Sequence, residues 1–321
     1  MLLYYELFKI HGCRRMLTSS NFESLLKKHG YHMAGSHSAV KTCLWLNKSL
    51  RGEGKCYKFQ FYGIASHRCV QMTPTMQCNQ KCLHCWRPTE IDVPETGWDS
   101  PELIVEESLK AQQKLISGYG GADIIDKTLW EEAKNPRHVA ISLAGEPTIY
   151  PYLDRLIDTF HSKNMTTFVV TNGTYPAMVE QINPTQLYLS LNAPDEYTYR
   201  QTCNPQEEGL WKRICKSLDI LREKETRTVL RITLTEGLNI SSPEGYAALI
   251  DRASPDYIEI KAYMHLGFSQ KRLERSAMPT HQRIREFSER IMQYTDYKQA
   301  DESQISRIVL LSKNGDVKKI V

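Results

Sequence analysis

The sequence lacks any long apolar run, and this absence excludes membrane-spanning proteins. No stretch of its 321 residues approaches the roughly 18 consecutive apolar residues that a spanning helix needs. The apolar opening MLLYYELFKI is interrupted by Glu6 and Lys9, so it reads as neither an anchor nor an export signal. We therefore expect a cytoplasmic protein with no membrane partner.

Glycine, proline and net charge are also low. The 17 Gly and 14 Pro exclude a collagen-like or broadly disordered chain, and the hydrophobic fraction of 41% is sufficient for a packed core. The formal net charge of +4 is too small to demonstrate a polyanionic partner, although it is compatible with a local basic face. A chain of this length holds either two small domains or one large α/β barrel.

Cysteine, in contrast, is present as nine residues, several at short spacings, in a chain that is too long to need disulfides. Cys78, Cys82 and Cys85 form a Cys-x3-Cys-x2-Cys motif within MQCNQKCLHCW. A structural zinc ion takes four ligands, and the sequence offers no second Cys-x2-Cys or His-x3-His pair. Three thiolates on one loop indicate a [4Fe-4S] cluster with one iron open to a further ligand.

The hydrophobic pattern divides the chain into three parts. Residues 1–19 precede a capping box at Ser20–Glu23 and form a loosely held extension, whose order is left open. Residues 20–66 form a small N-terminal module, in which FESLLKKHGY and HSAVKTCLWLNKSL are predicted helices and YKFQFYGI a predicted strand. Residues 67–321 form the main domain, which closes with the strand-like segment ISRIVLLS and a polar tail.

The main domain alternates strand-like and helix-like segments. Its six strand candidates are VQMT (70–73), HVAISLA (138–144), TTFVVT (166–171), QLYLSL (186–191), TVLRITL (228–234) and YIEIKAY (257–263). Six strand-helix units predict parallel strands, in either a doubly wound sheet or a barrel short of the usual eight units. Functional residues then collect at the carboxyl ends of the strands. The long interval 87–134 is predicted to be an insertion over that face.

The cysteine loop, together with these six units, resembles the signature of radical S-adenosylmethionine (SAM) enzymes. His84 stands where that family usually carries an aromatic residue. The resemblance implies a partial TIM barrel of about six β/α units. It also implies that SAM binds the open iron and is cleaved to a 5′-deoxyadenosyl radical.

Further segments at strand ends resemble the SAM-binding elements of that family. Ala144-Gly145-Glu146-Pro147 resembles the Gly-Gly-Glu element that holds the methionine amino group, with Ala144 replacing the first glycine. The remaining candidate contacts to the ribose, adenine or carboxylate of SAM are Asn172, Ser190, Asn192 and Arg231. Asn192 stands where an Asp is common.

Cys43, Cys56 and Cys69 follow one another at intervals of 13 residues, which by spacing alone is typical of unrelated buried cysteines. Their surroundings KCYKFQFYGIASHRCVQMTP, with QCNQKCLHCWRP and IEIKAYMHLGFSQKRL, resemble the wyosine-forming tRNA enzymes, the 4-demethylwyosine synthases. That resemblance implies a second [4Fe-4S] cluster on these three cysteines. Its role, in pyruvate binding or in electron transfer, is left open, and Cys13, Cys203 and Cys215 are interpreted as ordinary cysteines.

The same resemblance implies the substrates. They are tRNA-Phe carrying N1-methylguanosine 3′ of the anticodon, and pyruvate, which supplies two carbons. A lysine with a lowered pKa can hold the pyruvate carbonyl as a Schiff base. Lys58 matches the lysine proposed for the family, and Lys261, on the last barrel strand, is the second candidate.

Eukaryotic members carry a flavodoxin-like domain that this sequence lacks, so the resemblance is to the stand-alone archaeal type. It implies an external one-electron reductant, and a monomer is expected. The segment 270–275 and Trp86 are candidate tRNA contacts. The alternative interpretation is a radical SAM enzyme that acts on a peptide or small metabolite. The discriminating features are the second cysteine set and Lys58.

Overall fold

A computed structural model of the chain describes residues 19–91, 93–94 and 97–320. The predicted extension therefore lies outside the described residues, except for Ser19, which begins the first helix. The strands are β1 (His32–Ala34), β2 (Ser38–Val40), β3 (Cys69–Thr73), β4 (His138–Ile141), β5 (Thr166–Thr171), β6 (Gln186–Ser190), β7 (Arg227–Leu234), β8 (Tyr257–Ala262), β9 (Lys298–Ser303) and β10 (Ile308–Ser312). The helices are α1 (Ser19–Lys28), α2 (Leu44–Leu50), α3 (Tyr57–Tyr62), α4 (Pro101–Ser117), α5 (Lys127–Ala133), α6 (Leu153–Ser162), α7 (Pro176–Gln181), α8 (Glu196–Cys203), α9 (Leu210–Arg222), α10 (Pro243–Ala253) and α11 (His281–Met292).

All ten strands join one sheet, in the order β1-β2-β3-β4-β5-β6-β7-β8-β10-β9. Strands β3 to β8 are parallel, and each pairs with the next strand along the chain. A doubly wound sheet reverses its strand order partway, whereas a barrel keeps it, so the order selects the barrel. The edge strands β1 and β9 do not pair with each other in the described residues, so the barrel is open. The prediction of a partial TIM barrel with six β/α units is confirmed.

Antiparallel hairpins border both edges of the parallel strands. The hairpin β1–β2 pairs with β3, and the hairpin β9–β10 pairs with β8. The strands of the predicted N-terminal module therefore belong to the same sheet as the barrel. The single helix predicted over residues 37–50 is wrong, because this segment forms β2 and then α2. Gly35, at φ 78°, makes the turn that lets β2 fold back along β1.

The segment YKFQFYGI is a helix, and its prediction as a strand is wrong. The alternation of aromatic and polar residues is typical of a strand, but Lys58, Phe61 and Tyr62 are also spaced to share one helix face. Phe61 and Tyr62 are fully buried on α3. Gly63 ends the helix in the left-handed conformation at φ 84°, and its N–H bonds to the Phe59 carbonyl at 3.0 Å. This C-terminal glycine cap is the sequence signal for a helix.

The predicted insertion at 87–134 is corrected in part. Its main helix, α4, packs on β1, β2, β3 and α6 and is thus the crossover helix between β3 and β4. Buried Ile104 and Val105 belong to the same apolar cluster as the outward side chains of the strands. The shorter α5 packs near α2 and the turn that precedes β3, away from the carboxyl ends of the strands. None of the helices in the described residues is both long and apolar enough to cross a membrane.

The two faces of the strands differ in chemistry. Outward residues such as Val169, Leu187 and Ile232 pack against the surrounding helices in the largest apolar cluster. Inward residues at the amino ends of the strands form a second cluster with Phe61 and Tyr62, to which Phe168, Tyr188, Val229 and Tyr257 contribute. Because strand side chains alternate, the inward positions farther along the strands face a space above this aromatic floor.

Candidate active site

One cavity of about 500 Å³ fills the interior of the barrel above the aromatic floor. All fourteen site residues predicted from the sequence line it: Cys43, Cys56, Lys58, Cys69, Cys78, Cys82, Cys85, Gly145, Glu146, Asn172, Ser190, Asn192, Arg231 and Lys261. The fold brings them together from segments more than 200 residues apart in sequence. The cavity is therefore the candidate active site.

The Cys78–Cys85 loop follows the carboxyl end of β3 and is held by two arginines. Arg87 is buried, and it donates to the carbonyls of Met76 at 3.3 Å and Gln80 at 2.9 Å. Arg272 donates to the Leu83 carbonyl at 3.2 Å, to the Cys85 carbonyl and to the Arg87 carbonyl at 3.2 Å. The two guanidinium groups fix the loop backbone, and sequence reasoning missed the role of both.

The donor chemistry of this loop fits an iron–sulfur cluster. Burial raises the pKa of the Cys78 thiol to about 12, so without a metal it is protonated, while the nearby Arg87 charge works in the opposite direction. Metal binding removes the proton from such a thiol. No group of three His, Cys, Asp or Glu side chains surrounds a single ion position in the described part of the chain. Each thiolate of a cluster binds a different iron, so a cluster needs no such close convergence.

Gly145 and Glu146 follow β4 and lie beside the cysteine loop. Gly145 has φ 67°, and a Cβ there would stand 2.1 Å from the Thr75 carbonyl oxygen, so only glycine fits. The buried Glu146 carboxylate accepts hydrogen bonds from the Thr171 hydroxyl at 2.6 Å and the Asn172 N–H at 2.6 Å. Burial nevertheless raises its pKa. The turn is rigid and places a carboxylate on the cavity wall.

Asn172, Ser190 and Asn192 continue this wall along the next strand ends. The Asn172 side chain donates to the side-chain amide oxygen of Asn79 at 3.0 Å, within the cysteine loop. The Asn192 amide oxygen accepts from the Thr233 N–H at 3.1 Å, and its nitrogen lies 3.5 Å from His84 Nε2. Burial lowers the pKa of His84 to about 4, so its ring is neutral. These residues surround the space next to Cys78.

The second cysteine set comes together through the β2–β3 pairing. Ala39 pairs with Thr73 and Val40 with Met72, and the pairing continues as the Lys41 N–H bonds to the Gln71 carbonyl at 3.1 Å. The same register, extended along the chain, places Cys43 opposite Cys69. This hairpin was missed at the sequence level, and a turn signal at Gly35-Ser36 between two short strands could have revealed it.

Cys56 completes this set from the start of α3. Its N–H bonds to the Ser66 hydroxyl oxygen at 3.0 Å, and that hydroxyl lies 3.2 Å from the Cys56 sulfur. The Cys43 and Cys56 thiols each raise the pKa of Cys69, although burial is the main cause that raises it to about 12. Three thiols from three elements therefore lie close to one another.

Both predicted lysines face the cavity. Lys58 Nζ lies 4.7 Å from the ring centre of Phe168 and 5.1 Å from that of Tyr188. Lys261 lies on the inward face of β8, and burial lowers the pKa of its amine to about 8. Burial also lowers the pKa of Lys58, and the neighbouring charge of Arg231 acts in the same direction. Neither amine makes a hydrogen bond or ion pair with the described residues.

Arg231 lies with the lysines. Its Nε and one terminal nitrogen donate to the fully buried Glu259 at 3.0 and 2.8 Å. The same terminal nitrogen donates to the Tyr57 hydroxyl at 2.8 Å. Tyr62 also donates to Glu259, at 2.8 Å. Glu259 was missed, although a carboxylate within the apolar segment YIEIKAY was as unusual as Lys261.

Two residues among the candidate tRNA contacts, Arg272 and Trp86, have partners within the protein. The donors of Arg272 face the cysteine loop, so it is not a free phosphate contact. Trp86 packs in parallel with Tyr31 at 5.9 Å between ring centres, with Lys41 over the ring, so a structural packing role accounts for it. All eight described cysteines are free thiols.

Known proteins match the chain along nearly its whole length. Residues 72–250 match the radical SAM superfamily, and residues 252–313 match the wyosine base formation family. The SAM-dependent tRNA 4-demethylwyosine synthase of Pyrococcus abyssi is 48% identical over 302 residues, which cover 91% of this chain and 88% of that protein. The human synthase TYW1 is 35% identical over 307 residues, 94% of this chain and 42% of that protein. A solved structure of TYW1 with a lysine-pyruvate adduct bound has a TM-score of 0.86 and 40% identity, covering 95% of this chain and 99% of that one.

The partial barrel, the cysteine loop and the superfamily match define a radical SAM enzyme, a class whose cofactors are SAM and an iron–sulfur cluster. The three thiols of the Cys78–Cys85 loop fit that cluster. The match to the wyosine base formation family and the 48% identity define the family more narrowly. The chain belongs to the family of SAM-dependent tRNA 4-demethylwyosine synthases.

Proposed function

We propose that the chain joins two carbons of pyruvate to N1-methylguanosine, 3′ of the anticodon in tRNA-Phe, to give 4-demethylwyosine. The observation that carries this proposal is the meeting of two cysteine sets and two lysines in one cavity. A radical SAM enzyme for a peptide or small metabolite, the alternative interpretation of the sequence, gives no reason for the second cysteine set or for the cavity lysines.

In this proposal the two cysteine sets hold separate clusters. Cys78, Cys82 and Cys85 hold the cluster that binds SAM, with Gly145, Glu146, Asn172, Ser190 and Asn192 around the SAM molecule. When bound, the cluster and SAM together supply the abstraction of a hydrogen atom from the N1-methyl group. Cys43, Cys56 and Cys69 hold a second [4Fe-4S] cluster beside Lys58. The three free thiols on separate elements, gathered at one end of the cavity, support it.

Lys58 is the lysine that holds pyruvate. Its neutral amine adds to the C2 carbonyl of pyruvate, and loss of one water molecule leaves a C=N bond between Lys58 and C2. The amine lies over two aromatic rings without a hydrogen-bond partner among the described residues, which keeps it available for this addition. The lysine-pyruvate adduct in the similar TYW1 structure supports this step. Lys261 is the second candidate.

The remaining parts of the proposal concern partners. The electron that reduces the SAM-binding cluster comes from an external one-electron reductant. The protein acts as a monomer in the cytoplasm. The tRNA places its modified base at the cavity mouth, which requires the base to leave its stack.

Reductive trapping tests the lysine assignment. The enzyme, with its iron–sulfur clusters reconstituted, is incubated with pyruvate and cyanoborohydride, and the covalent adduct is located by peptide mass spectrometry. We expect Lys58→Ala to lose the adduct and the tRNA product but to keep cleaving SAM to 5′-deoxyadenosine. Lys55→Ala, an exposed neighbour whose amine lies over the Phe59 ring, is the matched control and should keep all three activities.

Two outcomes would change the proposal. If Lys261→Ala alone abolishes the adduct, Lys261 is the lysine that holds pyruvate. If the wild-type enzyme converts N1-methylguanosine in tRNA-Phe without any trapped adduct, the imine step is wrong although the overall reaction stands.

A further inference from the structure

We propose that Arg231 is the carboxylate anchor for the 2-oxo acid, and that it thereby selects pyruvate over uncharged ketones. This inference rests on the proposed function of the lysine site. The resemblance at the sequence level had assigned Arg231 to SAM. Its place in the structure favours the other substrate.

The first argument is position. The Arg231 guanidinium carbon lies 4.2 Å from the ring centre of Tyr188, and Lys58 Nζ lies 5.1 Å from the same ring centre. Both side chains thus lie over one aromatic ring, so a three-carbon ligand bound to Lys58 lies within reach of Arg231. Asn172, on the SAM side, bonds instead to Asn79 in the cysteine loop.

The second argument is the unused donor. Glu259 and Tyr57 engage Nε and Nη2 of Arg231. The other terminal nitrogen, Nη1, makes no hydrogen bond with any of the described residues, and the side chain lines the cavity at 14% exposure. A guanidinium held on one edge and open on the other is arranged to bind a carboxylate.

The third argument is charge. Arg231 and Lys261 bring two cations to this end of the cavity, and Glu259, which is fully buried, is the carboxylate that faces Arg231. Lys261 has no anionic partner among the described residues. Buried cations need a counter-charge, and the carboxylate of a 2-oxo acid supplies one when its C2 carbonyl is at Lys58.

Trapping with two ketones separates the anchor from the nucleophile. Pyruvate and its uncharged ester, methyl pyruvate, are each titrated against the loaded enzyme with cyanoborohydride, and the adduct on the intact protein is quantified by mass. In both cases the amine adds to C2, water leaves, and hydride reduces the C=N bond. A change in the reactivity of the lysine affects both ketones, whereas loss of the anchor affects only pyruvate.

The variant is Arg231→Gln combined with Glu259→Gln, because removal of the arginine alone would leave a buried unpaired carboxylate. We expect the half-saturating pyruvate concentration to rise about tenfold or more, and that of methyl pyruvate to change less than about twofold. The single variant Arg231→Lys, which keeps the positive charge, should retain part of the preference for pyruvate over methyl pyruvate. The matched control replaces the partly exposed pair Arg283 and Glu236, 3.2 Å apart, by glutamines and should leave both titrations unchanged.

Three results would overturn the anchor. They are equal losses for the two ketones in the variant, a wild-type enzyme that traps both ketones without preferring pyruvate, and a loss of SAM binding in equilibrium dialysis as large as the loss of pyruvate. If the double variant does not fold, an unchanged preference in Arg231→Lys would also count against the anchor. A wild-type enzyme that traps neither ketone would instead overturn the lysine step of the proposed function.

Discussion

The two cysteine sets reach the same cavity by different routes. Cys78, Cys82 and Cys85 lie on one loop, so their spacing alone specifies how near they are. Cys43, Cys56 and Cys69 lie after β2, before α3 and at the start of β3, and only the folded sheet brings them together. The comparison teaches that the spacing of a local metal motif is informative by itself, whereas the spacing of a dispersed set is not, and such a set needs a family resemblance or the fold to be recognised. It also places the sets at opposite ends of β3, a strand that spans roughly 13 Å.

Replacement of each cysteine set by alanine should have the largest effect and should distinguish the two sets most clearly. Without Cys78, Cys82 and Cys85, we expect SAM cleavage and tRNA product both to fall to background, because the SAM-binding cluster is lost. Without Cys43, Cys56 and Cys69, SAM cleavage should persist while the tRNA product is lost. Iron and sulfide counts after anaerobic reconstitution should fall from about eight to about four of each in either variant.

The control for this experiment is Cys215→Ala, since Cys215 is a partly buried thiol on α9 that does not line the cavity. Its iron content and product yield should equal those of the wild type. Retention of the full iron content without Cys43, Cys56 and Cys69 would make them packing residues and remove the second cluster.

Arg272→Ala should have the next largest effect, on the set Cys78, Cys82 and Cys85. The variant loses the hydrogen bonds to the Leu83, Cys85 and Arg87 carbonyls, and we expect the free energy of unfolding to fall by about 3 kcal/mol. Iron release to a chelator should become faster for the SAM-binding cluster. Lys271→Ala, an exposed neighbour over the Phe268 ring, should leave both quantities unchanged. Equal rates of iron release for Arg272→Ala and Lys271→Ala would mean that the loop retains its cluster without the Arg272 hydrogen bonds.

Ser66→Ala should have the smallest effect, and only on the dispersed set. The variant loses the hydroxyl that binds the Cys56 N–H and contacts its sulfur, which should cost about 1 kcal/mol in unfolding free energy. Thermal denaturation measures that loss, and chelation should speed up for the second cluster alone. Ser49→Ala removes a buried hydroxyl with no partner among the described residues and should be neutral or stabilising. A larger loss for Ser49→Ala than for Ser66→Ala would contradict this account.

The barrel itself was predictable because its strands are regular. TTFVVT and TVLRITL carry β-branched residues in the alternating or continuous apolar patterns of parallel strands, and β5 and β7 follow them within one residue. The resemblance to the radical SAM family then selected Gly145, Glu146, Asn172, Ser190 and Asn192 from the strand ends, and all five line the cavity.

The N-terminal region was less predictable, because its elements are short and their signals conflict. The strands of the β1–β2 hairpin have three residues each, too few to show a period. In α3 the alternation of aromatic and polar residues predicted a strand, although Gly63 is a C-terminal cap that indicates a helix. Arg272 and Glu259 were not recognised as site residues because their partners, at Cys85 and Arg231, are distant in sequence. Arg231 and Glu259 meet as cross-strand partners of β7 and β8, and Arg272 reaches Cys85 only when the chain after β8 lies beside the loop after β3.

The aromatic floor has a consequence for the sequence of binding events. Phe61, Tyr62, Phe168 and Tyr188 are fully buried beneath the cavity, and the Ile320 N–H bonds to the Tyr62 carbonyl at 2.9 Å, so the segment around Ile320 packs against the end of α3. If the proposed function holds, a small molecule bound for Lys58 enters past the strand ends, on the side where the proposed tRNA also docks. We then expect ordered binding, with the 2-oxo acid entering before the tRNA.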